Sequence, residues 1–181
     1  MTEWKLDHAH STISFAIRHM MVTTVHGKFN NFDAKLKFDP ERPGDATVKA
    51  TIRTASIDTG VEDRDNHLRS ADFFDVKTNP EITFESTDVK LKSENEAEVT
   101  GNLTIGEVTR PVTIRVSYLG QQVNPFTGTP TLGFEGHVKI NREDFGLTWN
   151  QALETGGVLV GRDVKITLDL QAVPAEEAAT V

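Results

Sequence analysis

Hydrophobic and polar residues alternate with a period of two along most of this chain, which is the pattern of a β-strand with one buried face. In residues 11–19, Ile13, Phe15 and Ile17 fall on one face, with polar residues between them. The same alternation recurs in a further set of segments, residues 48–52, 99–105, 112–118, 132–140 and 164–170. The pattern predicts a chain made mainly of antiparallel strands.

Two further segments, residues 26–38 and 82–91, are also strand-like, but each changes parity once. The first change falls at Asn30 and Asn31, where a bulge would bend the strand. Closure of a sheet into a barrel requires bends of this kind. The parity changes therefore favour a closed sheet over a flat one.

The only helix that the sequence favours covers residues 61–70, with Val61 and Leu68 turned inward, and a short turn is expected at residues 142–145. About eight one-faced strands must bury their apolar faces together. We therefore predict an all-β fold, an extended eight-stranded antiparallel barrel with one short helix covering an opening. The barrel should span residues 1–173, followed by a frayed tail over residues 174–181.

Composition excludes several classes of function. The chain has 181 residues, a net charge of −8 and no cysteine. The lack of thiols excludes disulfides, zinc–thiolate sites and cysteine nucleophiles. The negative charge, with no basic stretch to offset it, makes nucleic acid and anionic membrane surfaces poor partners. No apolar run is long enough for a transmembrane helix or a signal peptide, so we expect no stable membrane insertion and a cytoplasmic location.

A pair of histidines suggests metal binding. His8 and His10 are two residues apart, and on a strand they would face the same side, as metal ligands do. His26 or His137 could supply a third ligand. An isolated pair is common by chance, and the alternative is that His10 begins the next strand and hydrogen-bonds a turn. We therefore expect no bound metal and no cofactor.

The polar segment of the predicted helix is a second candidate for chemistry. Arg64, Asp65 and His67 could form an acid–base or phosphate-contacting cluster, although the solvated outer face of a lid is the favoured interpretation. His19 continues an apolar strand face and should lie at one end of the interior, where it could simply be a hydrogen-bonded plug. The sequence has no phosphate-binding glycine loop and no GxSxG nucleophile motif, so no catalytic residue is predicted.

Several motifs in a fixed order are more specific than these single features. The most specific is RDNHLRSADFFD at residues 64–75. The others are DHAHS at 7–11, FAIRH at 15–19, VHGKF at 25–29, IDTG at 57–60, NPEITF at 79–84, GNLTI at 101–105, VTRPV at 108–112, INREDFGL at 140–147 and LVG at 159–161. In this order and spacing the chain resembles the YceI-like family of polyisoprenoid-binding proteins over roughly residues 3–173.

The resemblance implies a lipocalin-like barrel that holds a long isoprenoid or related amphiphilic lipid in its interior, for transport, storage or sequestration, with no established catalytic activity. A polyisoprenoid or another long-chain amphiphile is therefore the expected partner. The apolar strand faces supply the expected lining, which is Ile13, Phe15, Ile17, Phe29, Phe32, Leu36, Phe38, Ile82, Phe84, Leu103, Ile114, Val116, Phe134, Val138, Ile140 and Leu168. Trp149 and Leu153 are expected at the mouth, and His19 and Arg64 near the polar end of the ligand.

Two other functions stay open. An enzyme acting on an isoprenoid lipid or a quinone precursor would use His19 or the Arg64, Asp65 and His67 side chains. An interaction module would have a barrel filled by its own side chains. A homodimer is a further assembly that the sequence allows.

Overall fold

The computed structural model describes residues 1–175, and most of them lie in β-strands. The strands are β1 (Thr2–Leu6), β2 (Thr12–His19), β3 (Thr23–Phe29), β4 (Phe32–Phe38), β5 (Thr47–Arg53), β6 (Ile57–Asp58), β7 (Glu81–Leu91), β8 (Glu96–Ile105), β9 (Val108–Val123), β10 (Pro130–Asn141) and β11 (Val160–Pro174). The helix α1 (Glu62–Arg69) follows β6, and short 3₁₀ turns occupy His8–His10, Pro43–Asp45, Thr54–Ser56 and Arg142–Phe145.

The strands close into an eight-stranded antiparallel barrel because three pairs of short strands act as three long, interrupted ones. β1 continues into β2, β3 into β4, and β5 into β6. The first two long strands form one hairpin on both sides of their breaks, since His19 pairs with Thr23 and Thr2 pairs with Phe38. The remaining strands follow in chain order, and β11 pairs with β10 and with both β2 and β1, which closes the barrel. The predicted fold class is confirmed.

The interruptions have local causes in the sequence. Asp7 accepts a hydrogen bond from the backbone N–H of Ala9 at 3.1 Å and so caps the 3₁₀ turn between β1 and β2. Asn30 and Asn31 separate β3 from β4, at the predicted change of parity. The second predicted change corresponds to a register shift at residues 86–88 in β7.

The first break carries a pH-dependent contact. The Asp7 carboxylate accepts hydrogen bonds from the His10 ring at 3.0 Å and the Gln171 amide at 3.1 Å, and the His10 bond is the main reason that the pKa of Asp7 lies below its ordinary value. A lowered native pKa gives stability that is present above pH about 4 and is lost as the pH falls through the native value.

We expect Asp7→Asn to lose about 1 kcal/mol of unfolding free energy at neutral pH, because an ionised acceptor is replaced by a neutral one. The loss should shrink as the pH falls below about 4, where the parent carboxyl is itself protonated. Urea unfolding across this range measures both effects. If Asp7→Asn lowers the free energy of unfolding by the same amount at every pH, Asp7 does not stabilise the native state through its charge.

The alternation did not predict β1. Trp4 and Leu6 are its only buried residues, which is too few for a period of two to be visible, yet Trp4 is 5% exposed. Its indole N–H donates to the backbone carbonyl of Phe38 at 3.1 Å, and the residue belongs to a core cluster with Leu132 and Ala172. β1 therefore supplies the wall between β4 and the end of β11.

The helix lies where it was predicted, but only one of the two residues predicted to turn inward does so. Leu68 packs against the core, whereas Val61 is 48% exposed because it precedes α1 in an extended conformation. No helix within residues 1–175 is long and apolar enough to cross a membrane.

The predicted domain boundary at residue 173 falls inside β11, where Pro174 pairs with Trp4. Residues 176–181 of the predicted frayed tail lie outside the described residues.

The barrel wall is split at one place. Pairing between β9 and β10 ends at Arg115 and His137, and the described residues show none beyond it. The 3₁₀ turn after β10 fills the split with Phe145, which is 5% exposed, and Arg110 Nε donates to the backbone carbonyl of Asp144 at 2.9 Å. A side chain and one exposed hydrogen bond therefore complete the wall where the ladder does not.

Candidate functional site

The barrel encloses a cavity of about 580 Å³ that is lined mainly by Ile, Val, Leu and Phe side chains. Residues from both ends of the barrel contribute to its lining. At one end, called the α1 end here, lie α1, the β2–β3 turn and the β10–β11 connection. At the opposite end lie the β4–β5, β7–β8 and β9–β10 turns. A concave, mostly apolar space of this size suits a small ligand with an apolar body.

All but two of the residues predicted to contact a ligand line this cavity. They are Ile13, Phe15, Ile17, His19, Phe29, Leu36, Phe38, Arg64, Ile82, Phe84, Leu103, Ile114, Val116, Phe134, Val138, Ile140, Trp149 and Leu168. The alternation located them because residues two apart on a strand face the same side. Their contact with a ligand stays a prediction.

Phe32 and Leu153, the other two predicted residues, are not among the residues that line the cavity. Phe32 is 6% exposed, but it is buried against protein, with its ring 5.8 Å from that of His8. Leu153 lies in a bend of the β10–β11 connection, where its N–H donates to the carbonyl of Gly157 at 3.1 Å. Leu159 of the same connection lines the cavity instead. An apolar position in the strand pattern predicts that a side chain is buried. The pattern does not tell whether that side chain packs against other protein atoms or lines a cavity.

Two phenylalanine rings lie over glycines of neighbouring strands. A Cβ on Gly27 would collide with the ring of Phe15, and a Cβ on Gly101 would collide with the ring of Phe84. The rings can lie against the barrel wall only because these positions have no side chain. The two glycines therefore help to keep the cavity open.

At the α1 end, Thr59 holds two polar residues of the helix in place. Its hydroxyl donates to the Asp65 carboxylate at 2.5 Å and accepts from Arg64 Nε at 2.7 Å, and its carbonyl accepts from Arg64 Nη2 at 2.7 Å. Asp65 is 6% exposed and also accepts the Thr59 N–H. Asp65 therefore stabilises the turn before α1, while Arg64 lies on the cavity wall with Nη1 unbonded among the described residues.

Three rings pack together at the same end. The His67 ring lies edge-on to Phe73 and Trp149, with centroids 5.1 and 4.6 Å away, and the centroids of Phe73 and Trp149 are 5.4 Å apart. All three residues line the cavity. His67 Nε2 is hydrogen-bonded to Asp72 at 2.9 Å. The rings therefore form an amphipathic rim, apolar toward the cavity and polar toward solvent.

The suggested acid–base cluster is not assembled. Arg64 and Asp65 are both hydrogen-bonded to Thr59, whereas His67 is hydrogen-bonded to Asp72, so no hydrogen bond joins His67 to the other two side chains. The side chain of His19 lines this end without a hydrogen bond to any described residue. One of the two interpretations of His19 was a side chain that fills the end of the barrel with a hydrogen bond of its own. The structure does not show that hydrogen bond among the described residues.

Arg142 is a site residue that the sequence interpretation missed. It is 4% exposed, and its guanidinium donates to the carbonyls of Gly161 at 2.7 Å, Leu147 at 2.6 Å and Val160 at 3.3 Å. Burial lowers the pKa of this guanidinium, and no carboxylate of the described residues forms an ion pair with it. Its three bonds fix the start and the end of the β10–β11 connection, which carries Trp149 to the cavity.

Three aromatic rings and two acids lie at the opposite end of the cavity. The ring centroids of Phe38, Tyr118 and Phe134 lie 5.3 to 5.4 Å from one another, and all three line the cavity. Burial raises the pKa of the Tyr118 hydroxyl. Glu94 and Glu96 line this end, whereas the arginines among the lining residues lie at the α1 end. The cavity is thus electrically asymmetric along its length.

The histidine pair does not have the predicted geometry. His8 and His10 lie on a 3₁₀ turn and not on a strand, because Asp7 caps that turn. His8 lies 3.9 Å from Asp33 and His10 lies 3.0 Å from Asp7, so each ring has its own carboxylate. No group of three or more metal-binding side chains occurs in residues 1–175. The lack of bound metal stays a prediction.

Comparison with known sequences gives a match over nearly the whole chain. The family described as the YceI-like domain matches residues 4–172. A UPF0312 protein of Staphylococcus epidermidis is 44% identical over 165 residues, which is 91% of this chain and 94% of the relative. A UPF0312 protein of Pseudomonas aeruginosa is 44% identical over 147 residues, which is 80% of this chain and 76% of the relative.

Solved structures have the same fold. The crystal structure of Burkholderia cenocepacia BcnA superposes with a TM-score of 0.80 at 30% identity, covering 92% of this chain and 98% of that one. A polyisoprenoid binding domain from Saccharophagus degradans superposes with a TM-score of 0.69 at 14% identity, covering 96% and 99%. At that identity the second likeness is one of fold alone.

Proposed function

This chain belongs to the YceI-like family, and we propose that it binds a long isoprenoid or related amphiphilic lipid inside its barrel, for transport, storage or sequestration. The observation that carries the proposal is the cavity of about 580 Å³ with its apolar wall. A structural neighbour described as polyisoprenoid-binding supports the choice of ligand class.

The physical driving force is the transfer of an apolar chain from water into the barrel. Each buried CH₂ group contributes about 0.8 kcal/mol, so a long chain binds tightly with few polar contacts. The rings of Phe15 and Phe84, which lie over glycines, leave room for such a chain along the wall. Affinity would then depend on chain length more than on any single residue.

A catalytic role has less support. Among the polar side chains at the α1 end, Asp65 binds Thr59 and Arg142 binds backbone carbonyls, while His19 has no hydrogen-bonded partner among the described residues to orient it. General acid–base catalysis needs a group positioned to exchange a proton with a substrate and a partner that orients it. The barrel is therefore proposed to hold its ligand unchanged.

We further propose that the polar end of the ligand lies at the α1 end. Arg64 and Arg142 line that end, and Glu94 and Glu96 line the opposite one, so the cavity favours an anionic group beside the arginines. Arg64 has a free guanidinium edge that can grip two oxygens of a phosphate.

Arg64→Ala should weaken binding of a polyprenyl phosphate by about 1–3 kcal/mol, the scale of a hydrogen bond to a charged group. Binding of the polyprenyl alcohol of the same length should be nearly unchanged. Isothermal titration of both ligands measures the difference. Arg69→Ala is the matched control, because Arg69 lies on the same helix but bonds the carbonyls of Ala55 and Ile57 outside the cavity. Equal losses for both ligands would mean that Arg64 only holds Thr59.

Native mass spectrometry tests the binding proposal itself. Protein purified without detergent is expected to carry an added mass that organic extraction removes and identifies. The extracted protein should then take up a polyprenyl alcohol in equimolar amount. A barrel with no added mass that also fails to take up the alcohol would favour the interaction module.

A further inference from the structure

The β2–β3 turn presents an exposed apolar tip at the α1 end. Met20, Met21 and Val22 are 45%, 61% and 74% exposed, and they are consecutive. Exposed apolar residues are normal when they are scattered, but three together at the tip of a hairpin leave apolar surface in water without an internal reason.

The tip is held in one conformation and is not a frayed loop. Met20 and Met21 have φ angles of 51° and 64°, a left-handed conformation that is unfavourable for residues other than glycine. The N–H of Met20 donates to the carbonyl of Leu159 at 2.8 Å, and the N–H of Val22 donates to the carbonyl of His19 at 3.2 Å. Such a backbone conformation persists only where the surrounding structure holds it, as these hydrogen bonds do here.

The tip is joined to the mouth of the cavity. The side chain of Met21 lies directly over Gly157, where a Cβ would collide with the Met21 sulfur. Gly157 belongs to the β10–β11 connection, whose Trp149 and Leu159 line the cavity. The tip is therefore in contact with the segment that forms part of the cavity wall at this end of the barrel.

The charge around the tip differs from that of the whole protein. The chain has 27 acidic residues, yet none lies between Asp7 and Asp33, so the β2–β3 hairpin has Arg18 beside its tip and no acid, while Lys28 lies at its far end opposite Asp58. The β10–β11 connection beneath it, residues 147–159, contains one acid, Glu154. The tip therefore carries no acid of its own, although the chain has a net charge of −8 and Glu62 and Asp63 of α1 lie at the same end of the barrel.

We propose that the Met20–Val22 tip docks reversibly on a lipid bilayer, so that the α1 end of the barrel faces the membrane. This step rests on the proposed function for its purpose, since it would bring the mouth to the source of a lipid ligand. A lipid surface fits the tip better than a protein, because three side chains on a convex turn cannot supply the roughly 800 Å² per partner of a stable protein interface. Shallow insertion of a few apolar groups gives reversible membrane binding.

Sedimentation with vesicles of phosphatidylcholine, which have no net charge, tests the proposal. A variant with Met21→Asn and Val22→Asp keeps a residue tolerant of the left-handed conformation at position 21 and removes the apolar tip. Its apparent affinity for vesicles should fall about tenfold or more, since two apolar groups no longer leave water.

Phe126→Asn is the matched control, because Phe126 is an exposed aromatic residue, 95% exposed, in the β9–β10 turn at the opposite end. It should sediment like the parent protein. Parent protein that stays in the supernatant, or a control that loses binding as the tip variant does, would overturn the proposal.

Titration with a polyprenyl alcohol dispersed without vesicles separates this proposal from the proposed function. The tip variant should bind the alcohol as the parent does, because neither changed residue lines the cavity. If the parent binds vesicles through the tip but takes up no alcohol, the docking surface stands and the lipid-binding function fails.

Discussion

Phe84→Asp is expected to abolish lipid binding by a folded barrel. Phe84 is 8% exposed and lines the cavity, with its ring over Gly101. An aspartate there would place a carboxylate on the apolar wall, and a ligand chain would have to displace its water without offering a hydrogen bond in return. The cost is several kcal/mol, so affinity should fall by more than about a hundredfold.

Titration with a polyprenyl alcohol measures this loss, and circular dichroism reports whether the barrel is folded. Thr113→Asp is the matched control, since Thr113 is exposed on β9 beside the inward Ile114 and receives the same charge outside the barrel. If Phe84→Asp does not fold, Phe15→Asp tests the wall of the same cavity from β2, at a partly buried position. Unchanged ligand binding by either folded aspartate variant would show that the chain does not lie along this wall.

Arg142→Met is expected to lose about 3–5 kcal/mol of unfolding free energy, because three carbonyls at a buried site lose their donor at once. Those carbonyls belong to Leu147, Val160 and Gly161, so the β10–β11 connection would also lose its attachment to the barrel. Urea denaturation measures the free energy.

Arg162→Met provides the comparison for this loss. Arg162 is exposed, and its side chain lies 3.6 Å from Glu143 as a surface ion pair, which contributes at most about 1 kcal/mol. A loss in Arg142→Met no larger than that in Arg162→Met would contradict the structural role of the buried guanidinium.

The barrel and its inner surface could be predicted because both follow from a short-range pattern. Alternation in β2 placed Ile13, Phe15 and Ile17 on one face, and closure of the sheet then turned that face inward. The change of parity at Asn30 and Asn31 predicted the bend, because an added residue shifts every later side chain to the other face.

Features that depend on long-range partners could not be predicted in this way. Arg142 has the composition of a surface residue, and only the fold brings backbone carbonyls from residues 147–161 around it. Trp4 is buried by Phe38, 34 positions away in the chain. The strand expected at His8 and His10 is a turn, because the Asp7 side chain offers the backbone a local hydrogen bond.

The central claim is that a lipid chain lies inside the barrel, and photo-crosslinking tests it most directly. A polyprenyl alcohol with a diazirine in the middle of its chain is bound, irradiated and mapped to peptides by mass spectrometry. Crosslinks are predicted on residues that face the barrel interior, such as Ile82, Leu103 and Ile114. Crosslinks confined to their outward neighbours, such as Asn102 and Thr113, would contradict the account, because those side chains face solvent across the barrel wall.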